Sequence, residues 1–167
     1  GVLDRRRVKS REFFATAAGK WDRLREDLFG DTFQLWAALG LIDPTLTVGD
    51  LGCGTGQLSE TVAPYVRRVI AVDGSAEMLE AARKRLGEFG NVDIRQGELE
   101  ALPIIDGDLD AALLSLVLHY SAEPVRTLSE VARVCRPGAK LLVVDMLPHH
   151  HEEYQQQDNF SRWAPGD

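Results

Sequence analysis

The sequence predicts an α/β fold: an open, mainly parallel sheet with helices on both faces, preceded by a helical cap. Three observations carry this. From Leu46 onward, short apolar runs alternate with segments of helical spacing, which is βαβ repetition. Val69-Ile70-Ala71-Val72 is continuously apolar, as strands covered on both faces are, and the run from Ala111 to Leu118 is apolar apart from Ser115. The stretch Asp50-Leu51-Gly52-Cys53-Gly54-Thr55-Gly56 joins a β-prone run to an amphipathic helix starting near Gln57. Glycines there let a ligand reach the backbone without meeting a Cβ, and the helix start offers free N–H groups.

In chain order, Ser10 can cap a helix carrying Phe13, Phe14 and Ala17, interrupted near Gly19. A second helical stretch holds Trp21, Leu24, Leu28 and Phe29; Asp31 caps a third with Phe33, Trp36, Ala37 and Leu39. Asp43-Pro44 ends it. This preface either covers the sheet or forms a lid with Phe14 and Trp21 as walls. Leu46 and Val48 mark strand one, and Val69 to Val72 strand two, closed by Asp73-Gly74. Ser75 caps a helix with Met78, Leu79, Ala82 and Leu86 at helical spacing. Val92 and Ile94 mark strand three, Ala111 to Leu118 strand four, and Leu141 to Val144 strand five, ending at Asp145. Pro124 starts the helix between the last two, which runs to Val134 before the turn Arg136-Pro137-Gly138. The divisions expected are a cap over 1–45, a core over 46–148 and a polar tail over 149–167, one structural domain in all.

Composition narrows the function. A net charge of −7 argues against nucleic acid as a main partner and against an anionic membrane surface. No apolar run approaches membrane-spanning length, and two cysteines give no disulfide framework, so a cytoplasmic setting is expected. The basic cluster Arg5 to Arg11 reads as a solvated helix start or linker. The chain opens on Gly1 rather than Met, as a piece of something longer would. His149-His150-His151 does not make a metal site: neighbouring loop histidines diverge, and no metal is expected.

The glycine turn decides between ligands. A dinucleotide fingerprint needs G-x-G-x-x-G, yet position 57 is glutamine. Asp50 would repel a pyrophosphate. Beside a cation it is worth roughly 4 kcal/mol at contact distance with an effective dielectric of about 20. A ligand with an amino group, a sulfonium and no phosphate fits, and S-adenosylmethionine is such a ligand. A tight turn with no ligand is the plain alternative. A nicotinamide-dependent oxidoreductase fails on Asp50 and Gln57 together.

From about Phe13 to Pro148 the chain resembles a class I S-adenosylmethionine-dependent methyltransferase, with a Rossmann-like core. The anchors are Asp50 to Gly56, Val72-Asp73-Gly74-Ser75, Gly97-Glu98-Leu99-Glu100-Ala101-Leu102-Pro103 and Arg136-Pro137-Gly138. It is similar to the ubiquinone/menaquinone C-methyltransferases. It is closer still to methyltransferase-like domains fused to arsenic-repressor-type winged-helix regulators, through Trp21 to Arg25, Val117 to Tyr120 and Val143 to Pro148. The resemblance implies that Asp50 and the backbone of Gly52, Cys53 and Gly54 hold the methionine amino group. Asp73 and Gly74 would meet the ribose, and Met78 the adenine face. Gly97, Glu98 and Leu99 would meet the adenine edge; Ser115 and Leu116 would pass under the methionine portion, and Trp21 would be a wall.

Methyl transfer to a small-molecule acceptor would release S-adenosylhomocysteine. If the acceptor carries a proton, His119 is the candidate base, with Asp145 a weaker one. The stretch Ser115-Leu116-Val117-Leu118 lacks the Pro-Pro-aromatic motif with which the family holds planar amide nitrogens, which disfavours nucleobase and glutamine methylation. Cys53 reads as a space-filler. The family's usual C-terminal strand pair is not expected in the polar stretch after Pro148, so strand five would be an open edge. Either the chain is cut short, a partner or second copy covers the edge, or the tail folds over it, and a homodimer through this edge is expected. The second functional reading is a non-catalytic sensor of S-adenosylmethionine or S-adenosylhomocysteine.

Overall fold

The computed structural model describes residues 32–145, together with Asp27 and Gly30. The chain divides into two compact units, residues 1–42 and 43–167. One helix of the first unit is described, α1 (Phe33–Leu39), which ends at Gly40. The helices expected around Phe13 and Trp21, and the polar tail with its histidines, lie outside the described residues.

Among its described residues the second unit holds five strands: β1 (Thr47–Leu51), β2 (Arg68–Asp73), β3 (Val92–Gln96), β4 (Leu109–Ser115) and β5 (Cys135–Val144). They form one open sheet in the order β3-β2-β1-β4-β5, parallel throughout. Three helices accompany them: α2 (Gln57–Val62), α3 (Ala76–Leu86) and α4 (Pro124–Val134). No helix among the described residues is long and apolar enough to cross a membrane.

The continuous apolar runs are buried because both faces are covered. In β2, Ile70 and Val72 join one cluster with Leu51, Leu114, Val131 and Val134, so that face packs on α4. The alternate residue Ala71 joins Leu79 and Cys53 in a second cluster, so the other face packs on α3. β1 lies in the middle, and all five of its residues are buried. The helix ends follow local chemistry. The Ser75 hydroxyl accepts from the Met78 N–H at 3.2 Å and starts α3. Pro124, with no N–H to lose, opens α4.

Two boundaries differ from the sequence expectation. β4 stops at Ser115 rather than Leu118, because Leu116 takes a positive φ of 56° and Leu118–Tyr120 turns as a 3-10 helix. β5 begins at Cys135 and absorbs Arg136-Pro137-Gly138 as a bulge: Leu109 pairs with Cys135, whereas Ala111 already pairs with Lys140.

The turn after β1 is what opens a site. Gly52 and Cys53 both donate to the Val72 carbonyl, at 2.8 and 2.9 Å, which ties the turn to the end of β2. Gly52 has φ 78°, and a Cβ there would sit 2.6 Å from Cγ1 of Val117. The turn after β4 is therefore seated directly on the glycine backbone. Gly52→Ala should cost roughly 2–4 kcal/mol, from left-handed strain and overpacking together. Urea denaturation checks it; a loss below about 1 kcal/mol would mean that Val117 moves aside freely.

β5 pairs only with β4 among the described strands, and its residues Leu141, Leu142, Val143 and Val144 are 40–54% exposed. Successive strand residues point to opposite faces, so both faces of this edge are partly exposed, and no described strand pairs with its outer side. Concentration-dependent self-association is expected in sedimentation velocity, and Val143→Lys should weaken it. A single monomeric species at all concentrations would contradict this.

Candidate functional site

In an open parallel sheet the ligand crevice forms beyond the carboxyl ends of the strands, where the strand order reverses. Here the reversal falls between β1 and β4: from β1 the chain goes to β2 on one side, and after β3 it crosses to β4 on the other. A crevice of about 680 Å³ opens at that point, lined by Asp50, Gly52, Cys53, Gly54, Asp73, Met78, Ser115 and Leu116, with Val117 and Tyr120. A second lobe of about 350 Å³ shares Gly52, Asp73, Val117 and Tyr120 with the first and adds Gly74, Glu98, Leu99 and Glu100.

Most of the residues singled out from sequence therefore meet in one two-lobed crevice. Gly97 stands behind it: its N–H donates to the Asp73 carbonyl at 3.1 Å, and a Cβ would strike Pro103 at 2.5 Å. Trp21 lies outside the described residues. His119 lines neither lobe. It is buried, with Nδ1 2.6 Å from Oδ1 of Asp145. The other Asp145 oxygen accepts from the backbone N–H groups of Leu118 and His119, at 3.0 and 3.3 Å. Asp145 thereby pins the turn that carries Tyr120, whose ring centroid is 4.0 Å from that of His119.

The crevice also uses residues that sequence reasoning passed over. Gln57, Leu58 and Thr61 line the larger lobe from α2, at the i, i+1, i+4 spacing that helix geometry allows to share a side. Tyr120 borders both lobes and is more than half exposed. Its position beside His119 was the available signal.

The electrostatics are one-sided. Asp50, Asp73, Glu98 and Glu100 line the crevice, and no lysine or arginine does so among the described residues. Asp73 braces two turns at once: Oδ2 accepts from the Gly54 N–H at 2.8 Å, and Oδ1 from the Ser75 N–H at 2.9 Å. Asp50 is 2% exposed, and burial raises its carboxyl above the ordinary range against the lowering effect of a 2.6 Å hydrogen bond from the Ser59 hydroxyl. The Ser121 hydroxyl holds Glu100 below its usual range. Burial, with Asp50 and Asp73 nearby, pushes the Cys53 thiol up to about 12. A thiol of that kind is no nucleophile at neutral pH, which agrees with a space-filling role.

One backbone feature marks the site. Leu116 is the one non-glycine with positive φ among the described residues, and its N–H donates to the Val144 carbonyl at 2.7 Å. A branched side chain in that region stores about 1–3 kcal/mol of strain, and such strain gathers at ligand sites. Among the described residues no cluster of His, Cys, Asp and Glu could hold a metal ion.

Comparison with known proteins agrees with this geometry. A family model described as a methyltransferase domain matches residues 49–143, more than half of the chain. An uncharacterised 37.1 kDa protein in transposon TN4556 of Streptomyces fradiae is 41% identical over 97 residues, which is 56% of this chain and 28% of that protein. The demethylmenaquinone methyltransferase of Renibacterium salmoninarum is 32% identical over 148 residues, covering 86% of this chain and 61% of its own length. The chain thus spans less than two thirds of either relative. Among solved structures, a SAM-dependent methyltransferase from Aquifex aeolicus superposes with a TM-score of 0.64 at 27% identity, over 77% of this chain and 70% of the other. The strand order, the glycine turn with its crevice and the match over residues 49–143 agree: the chain belongs to the methyltransferase domain family.

Proposed function

We propose that the chain is the S-adenosylmethionine-binding core of a methyltransferase that acts on a small-molecule acceptor in the cytoplasm. The observation that carries this is the acidic two-lobed crevice beyond β1 and β4. The donor set suits a cationic nucleoside. Asp50, deep in the larger lobe, would meet an amino group, and Asp73 the ribose hydroxyls. Glu98, in the smaller lobe, would accept from an exocyclic amine, and Met78, 46% exposed and lining the larger lobe, would cover a flat base. A Cβ on Gly54 would meet nothing within 4 Å, so that backbone is open to a ligand. Among the described residues that line the crevice, a pyrophosphate would find only like charge.

When bound, S-adenosylmethionine supplies a methyl group already activated on a sulfonium. The chain's own part is then alignment and exclusion of water, which can be worth up to about 7–11 kcal/mol. Leu116, Val117 and Tyr120 give the acceptor side of the crevice an apolar and aromatic wall. An organic acceptor suits that wall, as does the similarity to a demethylmenaquinone methyltransferase. His119 lines neither lobe and is bonded to Asp145, which supports a role in holding the turn that carries Tyr120.

That position of His119 also favours the second reading, a ligand-binding module without turnover, because the base singled out from sequence does not face the crevice. The two readings separate in one experiment. Calorimetric titration of the folded chain should give a Kd near micromolar, about −8 kcal/mol, for S-adenosylmethionine or S-adenosylhomocysteine. Asp73→Ala should weaken binding at least about tenfold. Release of S-adenosylhomocysteine with quinol or phenol acceptors supports the enzyme. Selective binding of the homocysteine form with no release supports the module, and no binding of either removes both readings.

A further inference from the structure

α2 contributes one fully buried polar side chain to the interior. Ser59 is 0% exposed, and its hydroxyl donates to Oδ2 of Asp50 at 2.6 Å across the contact between α2 and β1. Asp50 is almost as deeply buried, yet it belongs to the wall of the larger lobe. A carboxylate removed from water tends to take up a proton, and a neutral Asp50 could not hold a ligand cation.

The surroundings of Asp50 add to that tendency. From the end of β2, Asp73 repels its charge. From the glycine turn, Cys53 stays a neutral thiol and gives no countercharge. From β4 and the turn after it, Ser115 and the phenol of Tyr120 border the same lobe, and neither is a cation. The hydroxyl and backbone of Ser59 are the groups that favour the ionised form of Asp50.

We propose that Ser59 is a positioning residue: it keeps the Asp50 carboxylate ionised and fixed in orientation, so that the crevice recognises the ammonium group of an amino-acid-bearing ligand. The role deepens the proposed S-adenosylmethionine site and rests on it. A hydrogen bond at 2.6 Å to one carboxylate oxygen also stops the group from rotating, which aims its charge at the lobe.

Two probes isolate this role. S-adenosylhomocysteine carries the amino-acid chain; 5′-methylthioadenosine has the same thioether nucleoside without it. In calorimetry on the full chain at pH 7, Ser59→Ala should weaken S-adenosylhomocysteine about tenfold and leave methylthioadenosine within about twofold. Equal loss for both ligands, or no loss for either, would overturn the proposal by making Ser59 a packing residue.

The pH profile supplies a second readout that needs no variant. The Asp50 carboxyl titrates above the ordinary range, so its charge is present at higher pH and lost as pH falls through its raised pKa. The ligand's own amino and carboxyl groups keep their charges between about pH 5 and pH 7. The preference of the unmodified chain for S-adenosylhomocysteine over methylthioadenosine should therefore shrink on acidification. With Ser59→Ala it should shrink at a higher pH. A preference that is flat with pH in the unmodified chain overturns the proposal even if the variant does not fold. Failure of a folded, unmodified chain to bind either probe overturns the ligand assignment itself, whereas binding of both with no effect of Ser59 removes only the role given to Ser59.

Discussion

Everything in the crevice depends on how the buried central strand is allowed to end. β1 has a neighbour on each side and no exposed residue, so its chain can leave only at the carboxyl end. It leaves through Gly52, Gly54 and Gly56, with φ of 78°, 53° and 79°. Side chains there would be strained, and at Gly52 one would also collide with Val117. The turn doubles back to the β2 carbonyl of Val72 and receives a brace from Asp73. The walls that follow, from β2, β3 and β4, converge on this one compact piece of backbone.

The same geometry sets the chemistry. Strand ends bring Asp50 and Asp73 together in a crevice without a basic residue among those described, and the loop after β3 adds Glu98 and Glu100. That field favours a cation and disfavours phosphate, which separates this site from dinucleotide-binding crevices built on a similar turn. Charge alone would not suffice, since a buried carboxylate without a donor tends to neutralise, and Ser59 answers for Asp50. The backbone N–H groups of Gly54 and Ser75 fix the orientation of Asp73. Beyond β4, the strained Leu116 and the turn held by Asp145 complete the crevice wall with Val117 and Tyr120.

Much of this was legible in the sequence because it rests on local rules. Continuous apolar runs gave the doubly covered strands, Ser75 and Pro124 gave helix starts, and the glycine spacing gave the turn that opens the site. The unread parts arise from contacts distant in sequence. The Leu116 conformation depends on its bond to Val144, and the burial of His119 depends on Asp145, in each case across the β4–β5 junction. A histidine at a strand end does not reveal that partner from sequence alone. Ser59, nine residues from Asp50, reads as an ordinary helical serine until α2 is packed on β1. The bulge over Arg136 to Ala139 was hidden because pairing register, not composition, decides where β5 resumes.

If five parallel strands and one glycine turn assemble a binding site for a cationic nucleoside at the β1–β4 junction, hydrogen–deuterium exchange with and without saturating S-adenosylhomocysteine will reveal it. Added protection is expected in residues 50–56, 73–78, 97–100 and 115–120, with none at the amino ends of the strands. Protection elsewhere, or an unchanged pattern at saturating ligand, would contradict it.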